Sequence, residues 1–480
     1  MQTTERQATA ERRPRWFGSI RINPWLPPLA LVAIAVILIL VEDVPNPVSL
    51  ALAAASSLVA LVGAIQSVAQ GLRPVAASFY IFWFSWLGIG PIAQMTVGKV
   101  AWGDSTVLAE QGQVQSALAL TLLAIAAFWA GDHIARSRPP RGGKPAPPAT
   151  IRPGVQVVLS VALIGVGLNA IRVLGLSSFF IPRQDRSEML IDTVGTQAEV
   201  GGAATALYTV LPSALAVTVT LLAVYRMQLD WRGVGGIKAG QLVHLAIGAL
   251  GIAVFANPLS QTRFVALLAI GSLLIVLLRP RSPRAGFVYL AIGLVGTLLI
   301  YPLANAFRTA NATVNDITSR TFTGADFDGF QQVVNAMNYV ESVGWAWGHH
   351  IVSAVLFFVP RSLWQDKADP ASLEVASFAG YRFTNLSLPI HAELYMQLGL
   401  LGVAVGMLGL GFTAGRLDAA WLGAPLSKMA MIAPVAALAT FGVLRGPLGA
   451  QVPVWFPIVL LLLLAVRSGD RKSADAVPRM

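Results

Sequence analysis

The sequence predicts an all-α fold: a polytopic integral membrane protein, one transmembrane domain with about 12 membrane-crossing helices. Three observations predict it. Hydrophobic residues make up 55% of the 480 positions and charged residues only 12%. With a mean hydropathy of +0.66, that balance does not describe a water-soluble protein of this length. About a dozen apolar runs approach the roughly 20 residues that cross a bilayer core. Basic residues, finally, fall in alternate connections between those runs.

The runs are 28–41, 47–70, 76–96, 112–131, 154–174, 203–225, 241–257, 264–278, 287–303, 392–414, 429–444 and 452–466. Each is bounded by charge or by Pro and Gly, which end helices. Several fall short of a full crossing, notably the two that meet at Asn257 and Pro258.

Lys and Arg near helix ends are retained in the cytoplasm. One set of connections carries Arg6, Arg12, Arg13, Arg15 and Arg21, then Arg73, then Arg136, Arg138, Arg141, Lys144 and Arg152. It continues with Arg226, Arg232 and Lys238, then Arg279, Arg281 and Arg284, then Arg416 and Lys428, and ends with Arg467, Arg471, Lys472 and Arg479. This set holds most of the 34 basic residues. Both termini are therefore expected in the cytoplasm, together with an N-terminal arm at 1–25, a Pro- and Arg-rich linker at 132–153 and a tail at 467–480. The net charge of +11 reads as a topology signal. The partner it implies is the lipid bilayer and its anionic headgroups, with no case for nucleic acid. The arm has no apolar core followed by a small-residue cleavage site, so no removable signal peptide is expected.

The chain has no cysteine, which excludes disulfides, thiolate metal sites and a cysteine nucleophile. His349 and His350 are adjacent, with neither ligand spacing nor a carboxylate in the local sequence to support them. No metal and no cofactor are expected. There is no Walker-type phosphate loop and no internal repeat of fixed period.

Two connections on the other, extracytoplasmic side are long: 172–202 and 304–391. The first holds Arg172, Arg183 and Arg186 with Asp185, Glu188 and Asp192. The second is long enough to demand structure of its own. In it Phe327, Phe330, Val333, Val334, Met337 and Val340 recur at helical spacing. An interfacial helix is expected, capped by Asp326 or Asp328. The run 351–359 is too short to cross, and Trp345, Trp347 and Trp364 flank it as headgroup-level anchors would, so it is expected to dip into the membrane.

Chemistry is expected on this side. Arg263 opens the eighth run, Arg308 follows the ninth, Arg361 and Lys367 follow the short dip, and Arg445 closes the eleventh. If they converge, they form a pocket for a di-anion such as a diphosphate, because guanidinium groups stay charged and bind phosphate oxygens in pairs. The bland alternative is that each one snorkels to lipid headgroups. At the start of the tenth run, His391 and Tyr395 lie four residues apart on one helical face. Glu393 sits between them, placed as a helix-start carboxylate or as a general base.

These residues resemble a known family. Pro360-Arg361-Ser362-Leu363-Trp364, then Lys367, a polar stretch at 384–387, Glu393-Leu394-Tyr395 and Leu398-Gly399-Leu400-Leu401-Gly402 are similar to the Wzy-type oligosaccharide repeat-unit polymerases of O-antigen and exopolysaccharide assembly. Arg263 and the Arg445-Gly446 turn fit the same pattern. The resemblance covers roughly 263–466. It implies a GT-C-like fold in the bacterial plasma (inner) membrane and a metal-independent, inverting glycosyltransferase. Donor and acceptor would be glycans linked to undecaprenyl diphosphate, with a chain-length regulator as a further partner. In it Arg361, Arg263 and Arg445 would hold the diphosphate. Glu393 with His391 would orient or deprotonate the attacking hydroxyl, and Lys367, Arg382, Arg308 and Tyr395 would contact substrate. Trp345, Trp347 and Trp364 would stack sugars or serve as belt anchors.

An O-antigen ligase shares these features and differs in its acceptor. A GT-C enzyme using monophosphate-linked sugars would need an acidic pair in a long first outside loop, and the loop holding Glu42 and Asp43 is short. A lipid-linked-oligosaccharide flippase or other transporter would show paired interrupted helices in related halves. Asp326-Phe327-Asp328 also has the form of the acidic metal motif of nucleotide-sugar transferases, but helix capping accounts for both residues.

Overall fold

A computed structural model describes residues 46–69, 71–103, 108, 110–137, 147–182, 185–186, 189, 206–232, 237–279, 282–301, 322–383, 386–424 and 426–469. The protein is an all-α polytopic membrane protein. Among the described residues, nine helices are long and apolar enough to cross a membrane. They are α1 (Pro47–Val68), α2 (Pro74–Val97, with a π-turn at Trp83–Ile89), α3 (Gln111–Ser137), α4 (Pro153–Leu174), α5 (Leu207–Trp231), α8 (Pro283–Ile300), α12 (Ile390–Gly423), α13 (Lys428–Arg445) and α14 (Leu448–Ala465). Two shorter apolar helices, α6 (Ala239–Phe255) and α7 (Arg263–Leu278), lie between α5 and α8. Among the described residues, each of the eleven expected runs from 47 onward thus contains helix, and the run at 28–41 lies outside the described residues. The connection between α8 and α12 holds α9 (Gly329–Val343), α10 (His349–Val355) and α11 (Ala371–Phe378).

The helix α12 is two limbs. Leu398 (φ −145°, ψ 23°) and Gly399 (φ 60°, ψ −145°) interrupt it, and the conformation at Gly399 suits glycine. The break frees the carbonyls of Met396 and Gln397, which accept from the backbone N–H groups of Ala346 (2.8 Å) and Trp347 (3.1 Å). Non-helical backbone at membrane depth is tolerated where protein satisfies it in this way. The expected span at 392–414 is corrected accordingly: 400–423 suffices alone, at about 1.5 Å of rise per residue. The part that carries His391, Glu393 and Tyr395 is a separate short limb.

The long limb packs against α3 through small residues. A side chain at Gly131 would collide with the carbonyl of Leu408, and one at Gly411 with the carbonyl of Phe128. At Gly415 an added Cβ would lie 2.7 Å from that of Ala135. Such backbone approach holds helices together in lipid, where the hydrophobic effect gives no preference for helix over lipid. Gly411→Leu is expected to destabilise by about 3 kcal/mol or more, since overpacking a close contact has no cheap relaxation. Its melting temperature in detergent checks this, and an unchanged value would contradict the packing.

Three smaller expectations are corrected. The linker at 132–153 begins later, because α3 continues to Ser137. It ends in a strand, β1 (Ala149–Ile151), paired antiparallel with β2 (Val466–Ser468), so the expected tail at 467–480 starts as a strand. The interfacial helix is a buried one. Phe330, Val333 and Val334 are enclosed, and so are Gln331, Gln332 and Asn335 on the other side of α9.

Candidate functional site

Arg263 and Arg445 both reach the ring of Tyr301. Arg263 is the first residue of α7, whose start is capped by the Thr262 hydroxyl accepting from Val265 N–H at 3.2 Å. Arg445 is the last residue of α13. Between them stands Tyr301 after the closing π-turn of α8 (Gly296–Ile300). The Arg263 guanidinium lies 5.0 Å from the centre of the Tyr301 ring and that of Arg445 5.9 Å. Arg445 also donates to the Tyr301 hydroxyl at 2.8 Å and to Oδ1 of Asp326 at 2.7 Å, and the hydroxyl donates to the same carboxylate oxygen at 2.8 Å.

Aromatic packing fixes this triangle. The Trp86 indole donates to the Asp326 carbonyl at 2.7 Å, stacks on Phe327 at 4.8 Å and meets Tyr301 edge-on at 5.2 Å. Asp326 and Asp328 are not caps. No side chain caps α9. Asp328 accepts instead from the Trp102 indole at 2.8 Å and from Ser387 N–H at 3.3 Å, and the neighbouring Leu388 N–H binds the Arg445 carbonyl at 2.8 Å. Burial pushes the Asp328 carboxyl up, against the hydrogen bonds of Ser387 and Trp102 and the charge of Arg445.

The expected convergence of five cations is corrected. Arg361 is exposed and spends its guanidinium inside its own loop, on Asp369 and on the Lys367 carbonyl (2.7 Å). Lys367 closes the same loop by donating to the carbonyls of Phe357 (2.7 Å) and Val359 (2.9 Å). Burial and the Arg361 charge push its pKa down. Nearby partners in sequence capture both cations, and none of these contacts reaches Arg445. Arg382 is exposed, and Arg308 lies outside the described residues. In the other loop, Arg186 is buried over the Phe179 ring at 4.5 Å, donates to the Ser260 carbonyl at 3.2 Å and is pulled down to about 10 by burial.

His391 and Glu393 point different ways, as residues two apart on a helix do. His391 is fully buried, its ring 5.1 Å from that of Trp83 and its Nε2 3.4 Å from the Thr121 hydroxyl. These neighbours give it a packing role, which corrects the expectation that it serves Glu393. Glu393 is fully buried on the opposite face and accepts from Leu448 N–H at 2.7 Å, three residues beyond Arg445. It thereby holds the turn that presents Arg445. Tyr395 is half-buried.

The histidine near Glu393 is His350. Its Nδ1 lies 2.9 Å from Nε2 of Gln397, one helical turn beyond Glu393 on the same face. Its Nε2 is 3.0 Å from Oε1 of Glu374, an ion-pair distance although the ring N–H is not aligned for a full hydrogen bond. Tyr339 donates to the other Glu374 oxygen at 2.8 Å. The local sequence around His350 supplies no carboxylate, but α11 does. Burial opposes a charge on His350, yet Glu374 outweighs it and raises the imidazole pKa. The His350 contact in turn holds Glu374 low against its own burial.

Protonated His350 therefore stabilises the fold fully below the ordinary imidazole value of about 6.5, and the gain is lost as pH rises through the raised folded value. The Glu374 gain is present above about 4.3 and is lost as pH falls through its depressed value. The pair is thus at full strength between about pH 4.3 and 6.5. The melting temperature in detergent is expected to drift down above that window, and His350→Gln to flatten the drift. An identical pH profile in both proteins would refute the pair's contribution.

Tyr301, Trp102, His350, Glu374 and Gln397 carry no motif in the sequence, and the acidic pair Asp326 and Asp328 reads there as a helix cap or a metal motif. The usable signal was two carboxylates within three residues in a loop already expected to be functional. Compared with protein-family models, curated proteins and solved structures, the chain gives no significant match to any of them.

Proposed function

We propose that this chain is a polysaccharide polymerase: an inverting glycosyltransferase of GT-C-like architecture with about 12 membrane crossings, joining oligosaccharide repeat units carried on undecaprenyl diphosphate at the extracytoplasmic face of the bacterial plasma membrane. The observation that carries the reading is the placement of both Arg263 and Arg445 against the Tyr301 ring, with Arg445 bound to Asp326. Fixed guanidinium groups suit a diphosphate leaving group, because donors held in place need no reorganisation as charge develops.

In this mechanism the acceptor hydroxyl attacks the anomeric carbon of the donor sugar. The new C–O bond forms as the bond to the diphosphate breaks. The diphosphate departs on its lipid against Arg263 and Arg445, and Asp326 orients Arg445. Glu393 takes the hydroxyl proton on the oxygen that Leu448 does not hold. Glu393 is enclosed, so this step requires an opening that admits the acceptor to it. An O-antigen ligase would use the same donor geometry with another acceptor.

A second reading, a lipid-linked-oligosaccharide flippase, is favoured by the break in α12, since discontinuous helices line transport sites. The experiment is to supply purified protein in proteoliposomes with repeat units on undecaprenyl diphosphate. Longer glycans on the lipid support polymerisation. Transfer only to an added non-polyprenyl acceptor indicates a ligase, and translocation without any new linkage indicates a flippase.

A further inference from the structure

Beside the arginine pair lies a second group of side chains with a different chemistry. Gln331 of α9 clamps the Trp102 backbone from both sides: Oε1 accepts its N–H at 3.0 Å and Nε2 donates to its carbonyl at 2.5 Å. The Trp102 indole N–H is tied to Asp328, so backbone and ring are both fixed. Phe383 stacks on this ring, centroids 5.4 Å apart and planes 24° from parallel, and remains 50% exposed. Two residues earlier, the Tyr381 hydroxyl accepts from Nε2 of Gln331 at 2.9 Å and from Nδ2 of Asn335 at 3.0 Å. With both amides donating to it, the Tyr381 oxygen keeps its own proton for a further acceptor. Arg382, between Tyr381 and Phe383, is exposed.

An exposed aromatic face, an oriented hydroxyl donor and a solvated cation on three consecutive residues match the chemistry of a sugar ring. Its C–H face lies flat on an aromatic ring and its hydroxyl and acidic groups take directional partners. The support beneath is rigid, because Gln331 and Asn335 are buried amides whose described hydrogen bonds run to this group and to Gln332. Fixing these side chains before binding lowers the entropy cost of holding a ligand. The group also connects to the arginine site through Asp328, which binds both Trp102 and the Ser387 amide, next to the residue that holds the Arg445 carbonyl.

We propose that Tyr381, Arg382 and Phe383, supported by Trp102 and Gln331, form a subsite for a pyranose ring of the glycan, separate from the arginine pair that receives the diphosphate. This rests on the reading of the chain as acting on lipid-linked glycans. The bulk of the packed aromatic network is needed for the fold, so the main variant is at the exposed position, Phe383→Ala, with Tyr381→Phe, which removes only a hydroxyl from a half-buried ring, as the second.

The test uses full-length protein in lipid nanodiscs and two probes. One is the free repeat-unit oligosaccharide released by mild acid from the source cell's own surface polysaccharide, followed by saturation-transfer NMR and titration. The other is undecaprenyl diphosphate, followed by displacement of a fluorescent analogue. The expected result is that wild type binds both and that Phe383→Ala weakens oligosaccharide binding about tenfold or more, the scale of one lost stacking contact. Phe383→Ala should keep the wild-type melting temperature and undecaprenyl diphosphate affinity. Tyr381→Phe should weaken oligosaccharide binding by a smaller factor, keep the undecaprenyl diphosphate affinity and lower the melting temperature, because the buried amides of Gln331 and Asn335 lose an acceptor. Oligosaccharide binding that is unchanged in Phe383→Ala overturns the subsite. So does a wild type that binds undecaprenyl diphosphate but not the oligosaccharide, while leaving the functional reading in place. A wild type that binds neither probe overturns both.

Discussion

Arg445→Ala is expected, on the proposed reading of the chain as a polysaccharide polymerase, to lower the rate of glycan polymerisation by a factor of about 10² to 10³, the usual effect of removing one preorganised donor from a developing anion. In a deletion strain complemented at matched expression, the long polysaccharide ladder of wild type should shrink to single repeat units. The fold should hardly notice. The bridge from Arg445 to Asp326 is partly solvated, with side chains 39% and 21% exposed, and such pairs contribute about 1 kcal/mol or less. Arg445→Lys separates charge from geometry. A lysine keeps the positive charge but cannot serve Tyr301 and Asp326 as a planar fork does, so an intermediate activity is expected. Arg361→Ala is the internal control: its guanidinium is engaged with Asp369 in an exposed loop, and a near-wild-type ladder is expected. A full ladder from Arg445→Ala at normal protein level, or a collapse seen only with Arg361→Ala, would sink the assignment.

Asp418→Asn is expected to be the most destabilising of the isosteric changes, by about 3–5 kcal/mol. The helix α2 begins at Pro74, and the residue before it, Arg73, has no side-chain acceptor for the exposed amides of the first turn. Asp418, from the distant end of α12, takes that role: its two oxygens accept from Val75 N–H at 2.9 Å and Ala76 N–H at 3.0 Å. A carboxylate is well placed there, since it meets the positive end of the helix. Arg73 lies between Asp418, at 3.9 Å, and Asp132, with which it forms a direct hydrogen bond, and Arg136 reaches Asp132 from the next turn at 3.2 Å. Arg73, Asp132 and Asp418 are all buried. An amide at 418 can accept one of the two N–H groups, presents N–H to the other and leaves Arg73 with one anionic partner fewer. The check is thermal unfolding in detergent together with the amount of protein that reaches the membrane. A loss under about 1 kcal/mol would mean that water or lipid headgroups already satisfy the first turn of α2.

The broad architecture was legible in the sequence because lipid imposes a rule that acts locally. Each span must satisfy its own backbone and present apolar side chains, so composition and run length suffice. The described parts of the runs from 47 onward are largely helical for that reason. The break at Leu398 and Gly399 was hidden because the residues on both sides remain apolar. What permits it is a strap some 50 residues earlier in the chain, at Ala346 and Trp347, which takes up the freed carbonyls.

The site was legible only in part. Arg263 and Arg445 stood out as cations at the ends of apolar runs, where a charge needs a reason. Arg361 and Lys367 stood out equally, and nothing local told them apart. The difference lies in which acceptors the fold brings near: Asp369 and two loop carbonyls for one pair, Tyr301 and Asp326 for the other. Asp326 and Asp328 read as helix caps because that explanation is local, whereas their true partners, Arg445 and Trp102, are more than 100 residues away in the chain.

The sequence by itself determined that this is a multi-helix membrane protein, where its helices run and which of its loops is large enough to hold chemistry. Tertiary structure alone decided which cations come near one another, which partners Glu393 and His391 find on their separate faces and that α12 is broken. Hydrophobicity and helical period are properties of neighbouring residues, whereas pairing a buried polar group with its partner is a property of the packed chain.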